Sequence, residues 1–328
     1  MNQQNKIHVG IHHGARELEN NILLQSIPGL KDLHTNIEQF RNVAFNYNNL
    51  NKDDDFKKNG REKFNNNISI LANRGMGKSS ALLTVIREIT NGRLFIKERY
   101  EKNTIDIINP MIDPEDIQSD ILGWVIASLS ERIEEIENLL KKSNHKMFIL
   151  EESPESMLSK LKEKRNRLIN CYSINREGYD HVALHRSINV NDYSKNLKEV
   201  LNYDYELHRA FEEFIDCLVE VKRKLNKTIN ELDTIDNEPL IYFFFDDLDM
   251  SSKKSIKILT DILSYFYHQN IVIFITGDYA VFEQSIKTFF LNETKDITLK
   301  MPEAEKKKEV MFADNRAEYF LKKVLPPS

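Results

Sequence analysis

The sequence predicts an α/β fold with a parallel β-sheet flanked by helices and an inserted helical subdomain. Two apolar runs, 241–245 and 271–276, lack the alternation of a half-exposed strand, which indicates strands covered on both faces. Amphipathic helical patterns follow both runs, and a chain that alternates strands with helices forms a parallel sheet through crossover connections. Long amphipathic segments within residues 129–237 predict the helical insertion.

The remaining elements follow from shorter patterns along the chain. Residues 31–48 have a helical pattern, with apolar side chains along one side. The apolar run 68–71 precedes a glycine-containing loop and an apolar helical pattern, so we expect the order strand, loop, helix. Residues 104–110 are the second strand candidate, and 171–195 are expected to be irregular.

These patterns divide the chain into four parts. After the last predicted helix, Asn315–Val324, neither a final strand nor a helical lid domain is predicted, as expected of the N-terminal part of a longer protein. The four parts are an N-terminal segment (1–66), the first part of the core (67–128), the helical insertion (129–237) and the second part of the core (238–328).

Composition and charge narrow the functional classes. Among 328 residues, 46 Lys and Arg stand against 51 Asp and Glu, so the net charge of −5 disfavours a nucleic-acid partner but leaves a local basic groove open. Cys171 and Cys217 lie far apart, which disfavours zinc and disulfides and predicts a cytoplasmic protein. The polar N-terminus and short apolar runs predict neither a signal peptide nor a membrane span.

The loop from Ala72 to Ser79 fits the phosphate-binding pattern GxxxxGK[ST], with alanine at the first glycine position. Glycines let backbone N–H groups turn inward around phosphate oxygens, and the following helix presents its positive N-terminal end. Lys78 reaches the β- and γ-phosphates, and the Ser79 hydroxyl is a ligand for Mg²⁺. The predicted nucleotide-binding residues here are Asn73, Arg74, Gly75, Met76, Gly77, Lys78, Ser79 and Ser80.

Acidic residues follow the apolar run 241–245. We expect Asp246 to hold Mg²⁺, directly or through water, and Asp247 to orient the attacking water as a catalytic residue together with Lys78. Many ATPases have glutamate at the second position, and the shorter aspartate predicts slow hydrolysis. Asp249 is expected either to cap a helix or to contact residues that bind the ligand without binding it directly. The alternative for the whole motif is a surface turn after a buried strand.

The run 271–276 ends in Thr276, Gly277 and Asp278. In ATPases with an extra strand between the phosphate-loop strand and the acidic strand, a polar residue here senses the γ-phosphate, so Thr276 and Asp278 are candidates. The alternative is that Asp278 caps the next helix. Arg316, in a late helix, is a candidate for reaching a neighbouring subunit's γ-phosphate, among other roles.

Together the motifs ANRGMGKSS, FFFDDLD and IVIFITGDYAVFEQSI resemble those of STAND and KAP-type P-loop NTPases, relatives of the AAA+ ATPases. The resemblance covers about residues 66–110 and 238–290. It implies a P-loop NTPase fold and a nucleotide-driven switch that assembles into oligomers. It also implies a place in bacterial anti-phage defence, where the large ATPase subunit of RADAR-type systems is similar.

The expected function is therefore a Mg²⁺-dependent ATPase that acts as a switch in a homo-oligomer, with ATP and Mg²⁺ as cofactors. One alternative is a nucleotide-binding scaffold with little turnover that organises a protein partner through the helical insertion. The other is a DNA-dependent ATPase, against which the acidic net charge counts. The lack of an NKxD-type sequence after the motifs favours ATP over GTP.

Overall fold

The computed structural model of the chain describes residues 32–50, 64–91, 105–115, 117, 120–143, 153–176, 190–230, 238–250, 252–293 and 302–325. Of the predicted N-terminal segment, residues 1–31 and 51–63 lie outside this set. The elements in chain order are α1 (Leu33–Leu50), β1 (Asn67–Leu71), α2 (Lys78–Thr90), β2 (Ile107–Ile112), α3 (Ile121–Ser143), α4 (Pro154–Arg176), α5 (Val190–Asn230), β3 (Ile241–Phe245), α6 (Ser252–Tyr265), β4 (Ile271–Gly277), α7 (Tyr279–Glu293) and α8 (Glu303–Val324).

The four described strands form one parallel sheet in the order β1-β4-β3-β2. This confirms the predicted α/β class with a parallel sheet flanked by helices. Strand β4 lies between β1 and β3, and its residue Thr276 is level with Ile70 of β1. Since all strands point the same way, the segments that follow β1, β3 and β4 meet at one edge of the sheet.

Both faces of the sheet are covered by apolar helices. Side chains alternate across each strand, so Phe243 and Phe245 of β3 face one hydrophobic cluster while Tyr242 and Phe244 face the other. Helices α1 and α2 supply one cluster, and α3, α5 and α6 contribute to the other. All five residues of β3 and all seven of β4 are buried, which explains the continuous apolar runs in the sequence.

Helices α4 and α5 pack against each other as an antiparallel pair. Ion pairs fix the direction, because Lys160 lies near Glu220 whereas Arg167, further along α4, contacts Glu206, which is earlier in α5. The later part of α5 belongs to the cluster that covers β3, so the predicted insertion is packed on the core. The predicted boundary between 128 and 129 falls inside α3.

The prediction of irregular structure throughout 171–195 is wrong at both ends. Helix α4 continues to Arg176, and α5 begins at Val190. The Tyr172 hydroxyl donates a hydrogen bond of 2.9 Å to Asp120 at the start of α3, and this contact from a distant part of the chain supports the last turns of α4. Residues 177–189 lie outside the described part of the chain.

Helix α1 is attached to the sheet by a buried ion pair in addition to its apolar face. Arg41 donates two hydrogen bonds to the two carboxylate oxygens of Asp106, at 2.9 and 3.0 Å, and another to the carbonyl of Glu238. The carboxylate of Asp106 also accepts the backbone N–H of Leu240 at 2.9 Å. Asp106 and Leu240 directly precede β2 and β3, so this cluster holds α1 at the sheet edge opposite the phosphate loop.

We expect replacement of Asp261 by asparagine to stabilise the protein at neutral pH. Burial in α6 raises the pKa of Asp261 to about 6, with Lys257 acting to lower it and Asp120 to raise it. The folded state therefore favours the protonated acid, and the wild type loses stability as the pH rises from about 4 to about 6. Urea unfolding across this range should show no gain for Asp261→Asn below pH 4 and a constant gain above pH 7. A gain that does not vary with pH would contradict this explanation.

Candidate functional site

Two glycines shape the loop between β1 and α2. Gly75 and Gly77 have φ values of 83° and 80°, in the left-handed region that glycine adopts without strain. Gly77 caps α2, and its carbonyl accepts the N–H of Ala81 at 2.9 Å. Residues 73–77 are exposed, so the loop is open to a ligand.

Alanine at the first motif position is compatible with this loop. The described residues with positive φ are Gly75, Gly77 and Asp247, so the backbone at Ala72 does not require glycine. The N–H of Ala72 donates to the carbonyl of Gly277 at 3.1 Å, which fixes the start of the loop to the end of β4. The departure from GxxxxGK[ST] therefore leaves the shape of the loop intact.

Lys78 is the buried cation of the site. Its side chain is 4% exposed, and its ammonium donates a hydrogen bond of 3.1 Å to the carbonyl of Ala72. The same nitrogen lies 3.9 Å from Asp247 Oδ1 and 4.0 Å from Asp249 Oδ2. The fold thus brings the phosphate-loop lysine together with carboxylates that follow β3, about 170 residues later in the chain.

Asp246 and Thr276 form a buried pair at the ends of β3 and β4. The Thr276 hydroxyl, which is fully buried, donates to Asp246 Oδ1 and accepts the backbone N–H of Asp247 at 2.9 Å. Asp246 is 7% exposed, and its backbone N–H donates to the carbonyl of Ile112 at 2.9 Å. Thr276 therefore fixes the orientation of both acids, which the sequence did not indicate for this residue.

Asp247 has a less constrained side chain than Asp246. Its φ of 44° is unusual for a residue with a Cβ, and its side chain is 41% exposed. Partial burial and the neighbouring Asp246 raise the pKa of Asp247 above its usual value, while Lys78 acts to lower it. The strained backbone turns this carboxylate toward the loop, where the ammonium of Lys78 lies 3.9 Å away.

Asp249 is the member of the site whose role the sequence left open. Its side chain is 9% exposed, and one oxygen lies 4.0 Å from Lys78. Its other oxygen, Oδ1, is buried and accepts no hydrogen bond from the described residues. In the sequence, only the short spacing between Asp247 and Asp249 indicated that both could lie near Lys78. The turn that brings both carboxylates to Lys78 could not be predicted from the sequence.

The other predicted residues occupy the rim of the site or other positions. Ser79 lies half-buried in the first turn of α2, and Ser80 uses its carbonyl to accept the hydroxyl of Thr84 at 2.7 Å. Asn73, Arg74 and Met76 are exposed in the loop. The carboxylate of Asp278 accepts the N–H of Ala280 at 2.9 Å and so caps α7, as the alternative interpretation proposed. The Arg316 guanidinium lies 4.1 Å from the ring centroid of Phe290.

The donor set fits a magnesium ion that is shared with a nucleotide. Such an ion takes one or two protein ligands and completes its shell with phosphate and water oxygens. Asp246 and Ser79 supply a carboxylate and a hydroxyl of that kind. Within the described residues, no group of three or more His, Cys, Asp or Glu side chains is placed to hold a metal, so a site made by the protein alone has no support there.

We expect replacement of Thr276 by valine to lower stability by about 1–3 kcal/mol, because valine keeps the shape but leaves the partly buried N–H of Asp247 without its acceptor and removes the hydrogen bond to Asp246. Thr260→Val is the matched control. Its hydroxyl donates only to the carbonyl of Ile256 within α6, and we expect a change below about 0.5 kcal/mol. Urea unfolding measures both values, and equal effects of the two substitutions would show that the Thr276 contacts contribute nothing.

No protein-family model matches the sequence, and the curated proteins contain no match to it. Among the described helices, none combines the length and apolar character needed to cross a bilayer.

Proposed function

We propose that this chain is a Mg²⁺-ATP-binding P-loop ATPase of the STAND/KAP type that acts as a nucleotide-driven switch. The observation that carries the proposal is the strand order β1-β4-β3-β2, which unites the phosphate loop, Thr276 and the acids after β3 at one sheet edge. This is the order expected of an ATPase with an extra strand between the phosphate-loop strand and the acidic strand. A chance GxxxxGK[ST] match has no reason to fall beside carboxylates from a strand so distant in sequence.

The proposed roles follow from the contacts of each residue. Loop amides and Lys78 bind phosphate oxygens, while Ser79 and Asp246 hold Mg²⁺. When bound, Mg²⁺ supplies positive charge to the phosphate oxygens. Asp247 orients the attacking water, and Thr276 keeps its backbone in place through the hydrogen bond of 2.9 Å. Asp278 caps α7 through Oδ1. In this proposal it also remains a candidate for sensing the γ-phosphate.

The experiment that tests the proposal is Mg²⁺-dependent ATP hydrolysis by the purified chain, with Asp247→Asn beside it. We expect the substitution to lower turnover by about 100-fold or more while ATP stays bound, because positioned acid–base groups contribute rate factors of this size. Glu220→Gln is the control, because its carboxylate pairs with Lys224 on α5 at 3.0 Å. Normal turnover by Asp247→Asn would remove its catalytic role, and a wild-type chain that fails to bind ATP would refute the proposal.

The resemblance to STAND and KAP proteins extends the proposal beyond the site. The switch works in a cytoplasmic homo-oligomer, a protein partner binds through α4 and α5, and the assembly serves bacterial anti-phage defence. The length of α5, 41 residues or about 60 Å, gives that partner an extended surface. Light scattering of the purified chain with and without ATP tests the oligomer, since a mass that never exceeds that of the monomer contradicts it.

A second candidate is a nucleotide-binding scaffold with little turnover. The side chain of Asp247 favours it, because a carboxylate that is 41% exposed and one methylene shorter than glutamate holds an attacking water less firmly. ATP binding without hydrolysis, under conditions in which Lys78→Ala abolishes the binding, would support this scaffold over the ATPase. The third candidate, a DNA-dependent ATPase, would be supported by an increase in ATP turnover when DNA is added.

A further inference from the structure

Asp249 has a contact pattern that the proposed roles do not explain. A carboxylate that is 91% removed from solvent normally has hydrogen-bond donors on both oxygens, because an unpaired buried charge costs several kcal/mol of stability. The described residues donate nothing to Oδ1, and Oδ2 has the ammonium of Lys78 at 4.0 Å. A purely structural aspartate at this position would lower stability without any compensation.

The surroundings of Asp249 place it beside the phosphate loop. A Cβ built on Gly277 would lie 3.4 Å from Asp249 Oδ1, so this oxygen lies over the end of β4. The carbonyl of the same glycine accepts the N–H of Ala72, the residue that begins the loop. Because Lys78 reaches the β- and γ-phosphates in loops of this kind, a carboxylate 4.0 Å from its nitrogen lies next to the terminal phosphate.

A helix-capping role for Asp249 has no support in these contacts. The carboxylate accepts no backbone N–H of α6 among the described residues, whereas the carbonyl of Leu248 accepts the Ser255 hydroxyl. The neighbouring acid, Asp247, is more exposed and is held through its backbone by Thr276. Both carboxylates after the metal-binding position lie about 4 Å from the Lys78 ammonium, but they are not equivalent, because Asp249 is buried and Asp247 is 41% exposed.

We propose that Asp249 is a positioning residue of the nucleotide site: Oδ2 holds the Lys78 ammonium in the place from which it contacts the terminal phosphate. This inference rests on the proposed nucleotide site and deepens it. ATP competes with Asp249 for Lys78, so the carboxylate weakens binding of metal-free ATP. Once Mg²⁺-ATP is bound, the same carboxylate keeps the Lys78 ammonium aligned with the phosphate for the reaction.

The test is Asp249→Asn, which keeps the size of the side chain and removes its charge. In EDTA, we expect the variant to bind ATP about fivefold more tightly than the wild type, because one negative charge near the phosphates is gone. With Mg²⁺, we expect kcat to fall by about tenfold or more and KM to change little. A residue that only supports the fold would lower affinity, kcat and the melting temperature together.

Glu220→Gln removes a charge that pairs with Lys224 on α5 and serves as the control, with wild-type affinity in EDTA expected. Unchanged or weaker metal-free binding by Asp249→Asn would overturn the proposal, and so would a kcat within twofold of a wild type that turns over. If the wild type binds ATP without turnover, the affinity in EDTA decides alone. Failure of the wild type to bind ATP at all is a different outcome, since it refutes the nucleotide site itself.

Discussion

Replacing Lys78 by alanine should lower the affinity for Mg²⁺-ATP by about 100-fold or more, or about 3 kcal/mol. The ammonium is 96% removed from solvent and is held by a carbonyl at 3.1 Å and by two carboxylates at about 4 Å, so it is already aligned for a ligand. A preorganised, desolvated cation contributes more to binding an anion than an exposed one, because no water shell has to be removed.

Isothermal titration calorimetry with ATP measures this loss. Lys141→Ala is the control, since that ammonium is 67% exposed and pairs with Glu137 on α3. Lys78→Met is needed as well, because it keeps most of the buried volume and separates lost charge from lost packing. Affinities within twofold of the wild type for both Lys78 variants would refute the phosphate-binding role.

Replacing Arg41 by methionine should destabilise the protein by about 3–5 kcal/mol, because it removes the guanidinium that pairs with both oxygens of the buried Asp106 carboxylate. Burial acts to lower the pKa of Arg41, and the Asp106 carboxylate more than offsets this, so the pKa lies above its ordinary value. The pair is bidentate and further hydrogen-bonded, which is the arrangement in which removal of one partner is most costly.

The midpoint of urea unfolding measures this effect. Arg209→Met is the matched control, since its pair with Glu213 is 55% exposed on the arginine side and should contribute less than about 1 kcal/mol. The double variant Arg41→Met with Asp106→Leu should lose less than the two single variants together, because it removes both buried charges. Strict additivity of the two would show that the residues act independently.

Much of the fold could be predicted from local patterns. The fully buried strands β3 and β4 have continuous apolar runs because both faces are covered, and α2 follows a loop whose glycines mark its start. The second strand was predicted at 104–110 but lies at Ile107–Ile112, around a shift in pairing between Ile108 and Met111. Pro110 within this interval has no N–H to donate to the neighbouring strand, and the side-chain amide of Asn109 donates to the carbonyl of Tyr242 instead; this second contact depends on a residue distant in sequence.

The functional site could also be predicted only in part. Motif spacing pointed to Lys78, Asp246 and Asp247 as neighbours, and they lie at one edge of the sheet. Two features depend on contacts between distant segments and were not predicted: the Thr276 hydroxyl fixes both acids, and Asp249 is more buried than Asp247. The attachment of α1 through Arg41 was missed likewise, because its partner Asp106 is 65 residues away.

The strand order has a consequence for how the chain folds during synthesis. Strand β1 has its described partner in β4, where Asn67 pairs with Ile273, so its backbone hydrogen bonds wait for about 200 further residues. At ribosomal rates this delay is about 10–40 s, while α4 and α5 already have their antiparallel partner. The apolar face of β1 and α2 therefore emerges long before β4 pairs with β1, and we expect a chain released before residue 271 to expose this face.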